Sequence, residues 1–414
     1  MKLRLTLLLV LAQAGLCTAA QAQKKGSEHW VGTWGTAENL YAAPRPAAAP
    51  AAPQSAPIGP RGFVNQTARM MVRASIGGHR LRVKLANAFG SVPVAIAAAH
   101  IALRGKDSGI VAGSDHALTF NGKPGCTIGP GVVLFSDPAD LTFAPLADLA
   151  VSLYFAGESG PPTAHSTGLH DTYIQEGDAT AQPALADAAR TQSYYYLAGI
   201  DVLARGAAAA IVAYGDSITD GARSSNESNH SWPALLAARL AAKKETAHIG
   251  VINMGIGGNR VLRDNAGVSA LGRFDRDVLS QSGVKWVMVL EGINDIGRGA
   301  TVPDETVTAD DLIAGHKQIV EMAHAHGIKI VGCTLTPYEG AGYARETGEA
   351  VRDALNQWIR TSGAYDAVVD FDAATRDTVN PKRIRAEFDP GDHLHPNDAG
   401  YQAMADAINL AIFK

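Results

Sequence analysis

A buried strand that runs straight into a serine-bearing turn is the feature that most constrains this sequence. Residues 209–214 are all apolar or aromatic, and Gly215, Asp216 and Ser217 follow at once. This pattern is typical of the carboxyl end of a parallel strand, where open α/β sheets bind their ligands. Gly215 permits a sharp turn, and the hydroxyl of Ser217 at the sheet edge can act as a nucleophile. The alternative is that Asp216 and Ser217 only cap a helix.

The half of the chain that this strand opens alternates strands with helices. The apolar runs predict strands at 209–214, 248–253, 285–290, 328–334 and 367–371, and helices at 232–243, 311–325, 348–359 and 397–412. Such alternation predicts an α/β domain over residues 206–414, with a parallel sheet covered by helices. The turn after the first strand lacks the glycine spacing of a dinucleotide-binding fingerprint.

The preceding region, residues 65–205, is rich in short strands separated by Gly, Pro, Asn and Asp. It predicts an antiparallel β-sandwich or jelly roll, followed by a linker to the α/β domain. Gly77-Gly78 signals a hairpin between strands at 70–75 and 81–85. The run 194–196, three tyrosines, is interpreted as an interdomain contact. Such a module could bind carbohydrate or shape the mouth of a site, and the lack of a row of aromatic residues favours the second interpretation.

The amino terminus has the pattern of a secretory signal. Residues 1–22 combine two basic residues, an apolar run too short to span a bilayer, and a small-residue cleavage site. The pattern predicts a secreted or periplasmic protein. Residues 23–64 form a separate segment that contains an Ala/Pro-rich loop at 42–60, and Cys126 and Cys333 are expected to be two unbridged buried thiols. A net charge of −4 over 414 residues does not suggest a nucleic-acid partner.

Two polar motifs follow the second and third strands of the α/β domain. Gly258 belongs to a glycine cluster whose exposed N–H groups could bind an oxyanion, although such a cluster can also be a simple turn. Asn294 lies just beyond the third strand, where its amide can donate hydrogen bonds to a developing oxyanion. The alternative for Asn294 is an Asx turn. Both residues are predicted to lie at the same sheet edge as Ser217.

The last motif places Asp392 three residues before His395, and Pro396 follows. One turn of chain lets the carboxylate accept a hydrogen bond from the imidazole, which fixes its tautomer and stabilises the imidazolium. A metal pair formed by His393 and His395 is the competing interpretation, but no third ligand of matching spacing is evident.

Taken in order, these four stretches resemble the signature blocks of the GDSL/SGNH hydrolase family of esterases and lipases. The resemblance spans residues 208–414 and departs from the family name at Ile218, where leucine would stand. It implies a flavodoxin-like α/β/α sandwich and ester hydrolysis through an acyl-serine, without metal or cofactor. It assigns Ser217, His395 and Asp392 to catalysis, and Ser217, Gly258 and Asn294 to the oxyanion hole. Their neighbours are expected to bind substrate or support the site: Asp216, Asn259, Arg260 and Asp295.

The expected substrate is an ester with a short acyl group, such as acetyl, on an oligosaccharide or polysaccharide. The sequence shows no long apolar lid and no amphipathic membrane helix, so stable membrane insertion is not expected. A lipase or lysophospholipase acting on longer chains is the alternative enzyme. A carbohydrate-binding protein with an inactive hydrolase domain is the alternative from another class. The sequence does not indicate the oligomeric state.

Overall fold

A computed structural model describes residues 27–40 and 61–414 of the chain. The predicted signal at 1–22 and the Ala/Pro-rich loop at 42–60 lie outside the described residues. Within them, no helix combines the length and the apolar character needed to cross a membrane.

The described part contains twenty strands, eight α-helices, one π-helical turn and three 3₁₀ turns. The strands are β1 Glu28–Gly35, β2 Asn39–Leu40, β3 Gln66–Arg73, β4 Leu81–Ala86, β5 Val94–Ile96, β6 Ala98–Leu103, β7 His116–Ala117, β8 Cys126–Ile128, β9 Val133–Phe135, β10 Asp148–Phe155, β11 Thr163–His165, β12 Thr172–Glu176, β13 Ala189–Thr191, β14 Tyr194–Tyr195, β15 Leu197–Arg205, β16 Ala209–Gly215, β17 Ile249–Gly255, β18 Val284–Leu290, β19 Lys329–Cys333 and β20 Ala367–Val369. The helices are α1 Ser217–Asp220, α2 Trp232–Ala241, α3 Ala270–Phe274, α4 Ile293–Gly299, α5 Ala309–Ala325, α6 Glu346–Thr361, α7 Phe371–Thr375 and α8 Asp398–Ala407. The π-helical turn is Asp275–Leu279, and the 3₁₀ turns are Pro303–Glu305, Ala386–Phe388 and Leu410–Phe413.

The second half of the chain is built on a five-stranded parallel sheet in the order β17-β16-β18-β19-β20. Numbered along the chain, this is the 2-1-3-4-5 order of the flavodoxin-like fold. The predicted α/β fold is therefore confirmed, and each of the five predicted strands overlaps an observed one. All seven residues of β16 are buried, which explains why its sequence reads as one continuous apolar run.

The first half is a module of antiparallel sheets, and this confirms the predicted all-β fold. A four-stranded sheet has the order β1-β15-β4-β9, and a six-stranded sheet has the order β13-β12-β3-β10-β6-β7. Alternate residues of β10 point to opposite faces: Val151 and Leu153 join the main core, whereas Ala150 joins a smaller cluster on the other side. We refer to this part as the β module.

Three predictions about the β module are corrected by the structure. The Gly77-Gly78 hairpin does not form, because β3 and β4 belong to different sheets. The region expected to be a linker ends in β15, which pairs with both β1 and β4. Of the three tyrosines, Tyr195 and Tyr196 are fully buried in the module core, where they contact Phe63 and Phe155.

The remaining tyrosine lies between the two halves of the chain, and the two cysteines form no disulfide. Tyr194 packs edge-to-face on Trp34, and both line a cleft that also includes Asp220 of α1. Tyr194 thus does lie between the β module and the α/β domain. Cys126 and Cys333 are both unbridged; Cys333 is buried, but Cys126 is only partly so.

The two halves meet where β1 lies against β17. Gly32 and Gly35 allow this approach, because a Cβ atom at either position would come within 2.7 Å of the side chain of Ile252. The N–H of Gly32 also donates to the carbonyl of Ser282 at 2.9 Å. The predicted domain boundaries stay predictions. Strand β1 comes from the predicted N-terminal segment 23–64 and pairs with β15 of the β module.

Candidate active site

The nucleophile turn has little room for any residue other than glycine at its first position. A Cβ atom on Gly215 would lie 2.1 Å from Oγ1 of Thr219 and 2.5 Å from the carbonyl oxygen of Leu290. The chain can therefore turn out of β16 directly into α1. Asp216 caps α1 by accepting the N–H of Ile218 at 2.9 Å, and Ser217 becomes the first helical residue. The capping alternative thus applies to Asp216 and leaves the hydroxyl of Ser217 free for another partner.

That partner is His395. Oγ of Ser217 lies 2.8 Å from Nε2 of His395, and Nδ1 of the same ring lies 2.9 Å from Oδ2 of Asp392. Oδ1 of Asp392 accepts the N–H groups of His395 and Leu394 at 3.0 and 3.1 Å. Burial would raise the pKa of Asp392, but these hydrogen bonds outweigh it and hold the pKa well below its usual range. The carboxylate therefore stays charged beside the imidazole.

The three predicted oxyanion donors come from three different elements. The N–H of Ser217 lies in the first turn of α1, where no intrahelical acceptor exists. Gly258 has a left-handed backbone with φ of 77°, and Nδ2 of Asn294 donates to the carbonyl of Asn259 at 3.0 Å. The next acceptor for that amide, Oδ2 of Asp216, is 3.5 Å away. Asn294 thus keeps one donor hydrogen that is only weakly engaged.

The structure does not place Asn259 or Asp295 on a substrate-facing surface. Asn259 is buried, with its amide donating to the carbonyls of Ala266 and Val268 at 3.2 and 2.8 Å. The carboxylate of Asp295 is also buried and accepts the N–H of Val261 at 2.7 Å. Because their polar atoms form hydrogen bonds with backbone groups inside the protein, these side chains hold the loop after β17 in place.

The placement of Arg260 and Asp216 likewise favours support of the site over contact with substrate. Arg260 is 5% exposed, forms an ion pair with Glu305, and donates to the carbonyl of Asp264 at 2.6 Å. Asp216 is fully buried at the helix cap, and burial raises its pKa to about 7. Both residues thus act through the loops that they hold, which is the supporting role expected as the alternative to substrate binding.

Comparison with known proteins adds an independent observation. Residues 213–403 match the GDSL-like Lipase/Acylhydrolase family. Residues 213–403 therefore form a GDSL-like lipase/acylhydrolase domain. The protein is accordingly a hydrolase of carboxylic esters. No curated protein matches the chain.

Several solved structures resemble this GDSL domain. A variant of Axe2, an acetyl-xylooligosaccharide esterase from Geobacillus, is 26% identical; the alignment covers 50% of this chain and 94% of that one, with a TM-score of 0.40. LAE5, an alpha/beta hydrolase from the metagenome of Lake Arreo in Spain, is 24% identical over 49% and 94% of the two chains, with a TM-score of 0.39. The acetyl xylan esterase AlAXEase is 22% identical over 48% and 96%, with a TM-score of 0.37.

A buried arginine in the GDSL domain escaped the sequence analysis. The guanidinium of Arg273 in α3 has no exposed surface. It donates to the carbonyls of Gly215 and Met254 at 2.9 and 2.7 Å, and to Oδ1 of Asn259 at 2.9 Å. It also contacts Glu291 at 3.3 Å. Arg273 thus joins the nucleophile turn, the glycine-containing loop and the segment after β18. No local pattern predicts this role, because most of its partners are distant in sequence.

The metal interpretation of His393 and His395 is not supported by their placement. Nδ1 of His393 lies 2.5 Å from Oδ2 of Asp389, whereas His395 faces Ser217 and Asp392. Across residues 27–40 and 61–414, no group of three or more His, Cys, Asp or Glu side chains is arranged to hold a metal ion.

Proposed function

We propose that this protein is a secreted or periplasmic serine esterase that removes short acyl groups, acetyl above all, from carbohydrate. The observation that carries the catalytic part is the hydrogen-bonded series from Ser217 through His395 to Asp392, with distances of 2.8 and 2.9 Å. A serine hydroxyl bonded to an imidazole, itself oriented by a carboxylate, is the arrangement that activates a serine nucleophile.

The reaction follows from these positions. Oγ of Ser217 attacks the ester carbonyl carbon while its proton passes to Nε2 of His395, and Asp392 stabilises the imidazolium. The tetrahedral oxyanion is held by the N–H groups of Ser217 and Gly258 and by Nδ2 of Asn294. Collapse breaks the bond to the alcohol, which leaves with the proton from Nε2. Water then attacks the acyl-serine in the same way, and the carboxylic acid is released.

The preference for short acyl groups is supported by where apolar surface is exposed. Among the described residues, the large hydrophobic side chains that are exposed are Val64, Val92, Val111, Val132, Val133, Phe135, Val368 and Val379. Val379 lies early in the connection between α7 and α8 that carries His395 near its end, and none of the others belongs to a loop that carries Ser217, Gly258 or Asn294. An enzyme that works on lipid aggregates is expected to expose an apolar patch beside its site. The lipase alternative therefore receives less support, and the intact Ser–His–Asp geometry speaks against an inactive binding protein.

Two measurements test the proposal. A fluorophosphonate probe followed by peptide mass spectrometry should label Ser217 in the wild-type protein and leave the Ser217→Ala variant unlabelled. A series of p-nitrophenyl esters should give its highest kcat/KM on the acetate or butyrate. A maximum on palmitate would replace the proposal with a lipase. Binding of polysaccharide without release of any acyl group, together with an unlabelled serine, would favour the binding protein.

The carbohydrate part needs its own assay. Acetylated xylan and a deacetylated sample of the same polymer should be compared, with acetate release as the readout and Ser217→Ala as the blank. Activity on p-nitrophenyl acetate without release from any acetylated polysaccharide would keep the esterase and remove the carbohydrate substrate.

A further inference from the structure

The loop that follows the nucleophile helix has an unusual backbone. This α1–α2 loop, residues 221–231, contains four residues in the left-handed region: Gly221, Arg223, Glu227 and Asn229, with φ of 109°, 72°, 60° and 58°. Three of them are not glycine, and such residues adopt this conformation rarely. Strained backbone of this kind persists where surrounding contacts fix it, and it clusters near functional sites.

One side of the α1–α2 loop is held by the β module through Glu227. Its carboxylate lies 2.5 Å from Nη1 of Arg104 and 3.3 Å from Nδ1 of His170, and it accepts the N–H of Asp171 at 2.5 Å. Burial alone would raise the pKa of Glu227, but the bonds from His170, Asp171 and Arg104 lower it to about 2. His170 also contacts Asn229 at 2.9 Å. The β module thus binds this loop through a charged residue with several partners.

The other side of the same loop reaches the catalytic pair. Nε of Arg223 donates to Oδ2 of Asp392 at 2.9 Å, and this is the oxygen that faces Nδ1 of His395. Ser225 donates to the carboxylate of Asp398 through both its N–H and its hydroxyl, each at 2.7 Å. Asp398 is the first residue of α8, three positions after His395.

We infer that Arg223 and Glu227 are positioning residues for the catalytic histidine, and that the β module acts on the reaction through them. The inference rests on the proposed function, because it assigns Asp392 and His395 to catalysis. With the backbone N–H groups on Oδ1, Arg223 completes the set of donors that fix the Asp392 carboxylate. Glu227 fixes the loop from which Arg223 extends. The β module therefore contributes to ester hydrolysis even if it binds no carbohydrate.

Arg223 also places a positive charge beside the Asp392–His395 pair. A cation beside the pair disfavours the imidazolium, so its removal should shift the acidic limb of the kcat/KM profile to higher pH. Other titratable groups lie near the pair, mostly on neighbouring elements of the GDSL domain. These groups are Asp389 with His393, Asp398 with His230, Asp220 with His165 of the β module, Asp216, and the phenols of Tyr343 and Tyr401.

The test compares Arg223→Gln with Arg205→Gln on p-nitrophenyl acetate across a pH series. Arg205 is a matched control, because its side chain is 61% exposed against 60% for Arg223 and it also forms an ion pair, with Glu28, far from the site. Arg223→Gln should lower kcat by about 2–5-fold with little change in KM, because solvent screens a charged hydrogen bond this exposed. Its acidic limb should move to higher pH, and Arg223→Lys, which keeps the charge, should restore the limb. An Arg223→Gln profile that overlays the wild type would overturn the inference.

A double variant tests whether Glu227 acts through Arg223. If it does, the double variant Glu227→Gln with Arg223→Gln should have nearly the same kcat as the less active of the two single variants. Independent, multiplying losses of kcat would show that Glu227 does not act through Arg223 and would overturn that part of the inference. The downfield proton NMR signal of the His395–Asp392 hydrogen bond gives a readout without substrate, and Arg223→Gln should shift or broaden it. A wild-type protein with this signal but no esterase activity would refute the proposed function separately, whereas an unchanged signal and unchanged kinetics in Arg223→Gln would refute only the inference.

Discussion

Replacement of Arg273 by glutamine should affect both stability and catalysis, because this side chain braces three loops of the site. The guanidinium supplies five N–H donors, and a glutamine amide supplies two. Three of the present acceptors are the carbonyls of Gly215 and Met254 and the amide oxygen of Asn259. At least some of these buried acceptors would lose their partner in Arg273→Gln.

The magnitude follows from that count. A buried polar group left without a partner costs about 1–3 kcal/mol. The carboxylate of Asp277 would not be left unpaired, because it also forms an ion pair with Arg276. Nε and Nη2 of Arg276 donate to its two oxygens at 2.6 and 2.9 Å. We therefore expect a loss of about 3–5 kcal/mol, in the range found when one partner of a buried ion pair is removed. For a unit of this size the melting temperature should fall by roughly 10 °C.

Arg352→Gln is a suitable control for this prediction. Arg352 is equally buried in the same domain and bonds Glu349, Asp372 and the carbonyl of Leu335, but it touches none of the three loops. Both variants should lose comparable stability in urea unfolding. Only Arg273→Gln should also lower kcat when assayed well below its melting temperature. A loss under about 1 kcal/mol in Arg273→Gln, or an equal fall of kcat in Arg352→Gln, would refute the bracing role.

Four further single variants have measurable expected outcomes. Ser217→Ala should abolish turnover with an unchanged melt, and retention of a tenth of the activity would exclude Ser217 as the nucleophile. Asn294→Ala should lower kcat by ~10²–10³ with a nearly wild-type melt. A rise in KM alone for Asn294→Ala would remove its oxyanion role. Gly258→Ala should melt at a lower temperature than wild type, because a φ of 77° disfavours alanine and the added Cβ would lie 2.9 Å from that of Ala266. Burial lowers the pKa of His316 to about 4, below the ~6.5 of the unfolded chain. The folded protein therefore has the full stability that neutral His316 allows above about pH 6.5, and it loses this stability as pH falls towards 4. His316→Gln should reduce this change in the free energy of unfolding by about 3 kcal/mol, and an unchanged slope would contradict the prediction.

The parallel sheet could be predicted from sequence because its strands are buried on both faces. Continuous apolar runs such as 209–214, ended by Gly or a polar residue, mark both the strand and the end where the site lies. The order of the motifs then brings Ser217 and His395 to the same edge. The position of each strand can be predicted from local sequence, because each strand is a continuous apolar run that ends at a glycine or a polar residue.

The rest depended on tertiary pairing. Gly77-Gly78 has the composition of a hairpin turn, but β3 and β4 pair with strands far away in the chain, β10 and β15. Proximity to a motif was also a poor guide to exposure. Asn259 and Asp295 stand beside oxyanion donors in sequence, yet their side chains point into the protein and bond to backbone groups. Only the packed structure shows which polar side chains remain free to meet a substrate.

The charges buried behind the site bear on how the oxyanion hole works. Burial raises the pKa of Glu291 well above its usual value, and the nearby carboxylates of Asp216 and Asp295 raise it further. The carboxylate of Asp277 is shared between Arg273 and Arg276. Both guanidinium groups thus contact the carboxylate of Asp277, and Arg273 also contacts Glu291 at 3.3 Å. Because Arg273 bonds directly to Oδ1 of Asn259 and to the carbonyl of Gly215, it fixes the loops that carry the oxyanion donors, and donors fixed before the reaction need no reorganisation when negative charge develops in the transition state.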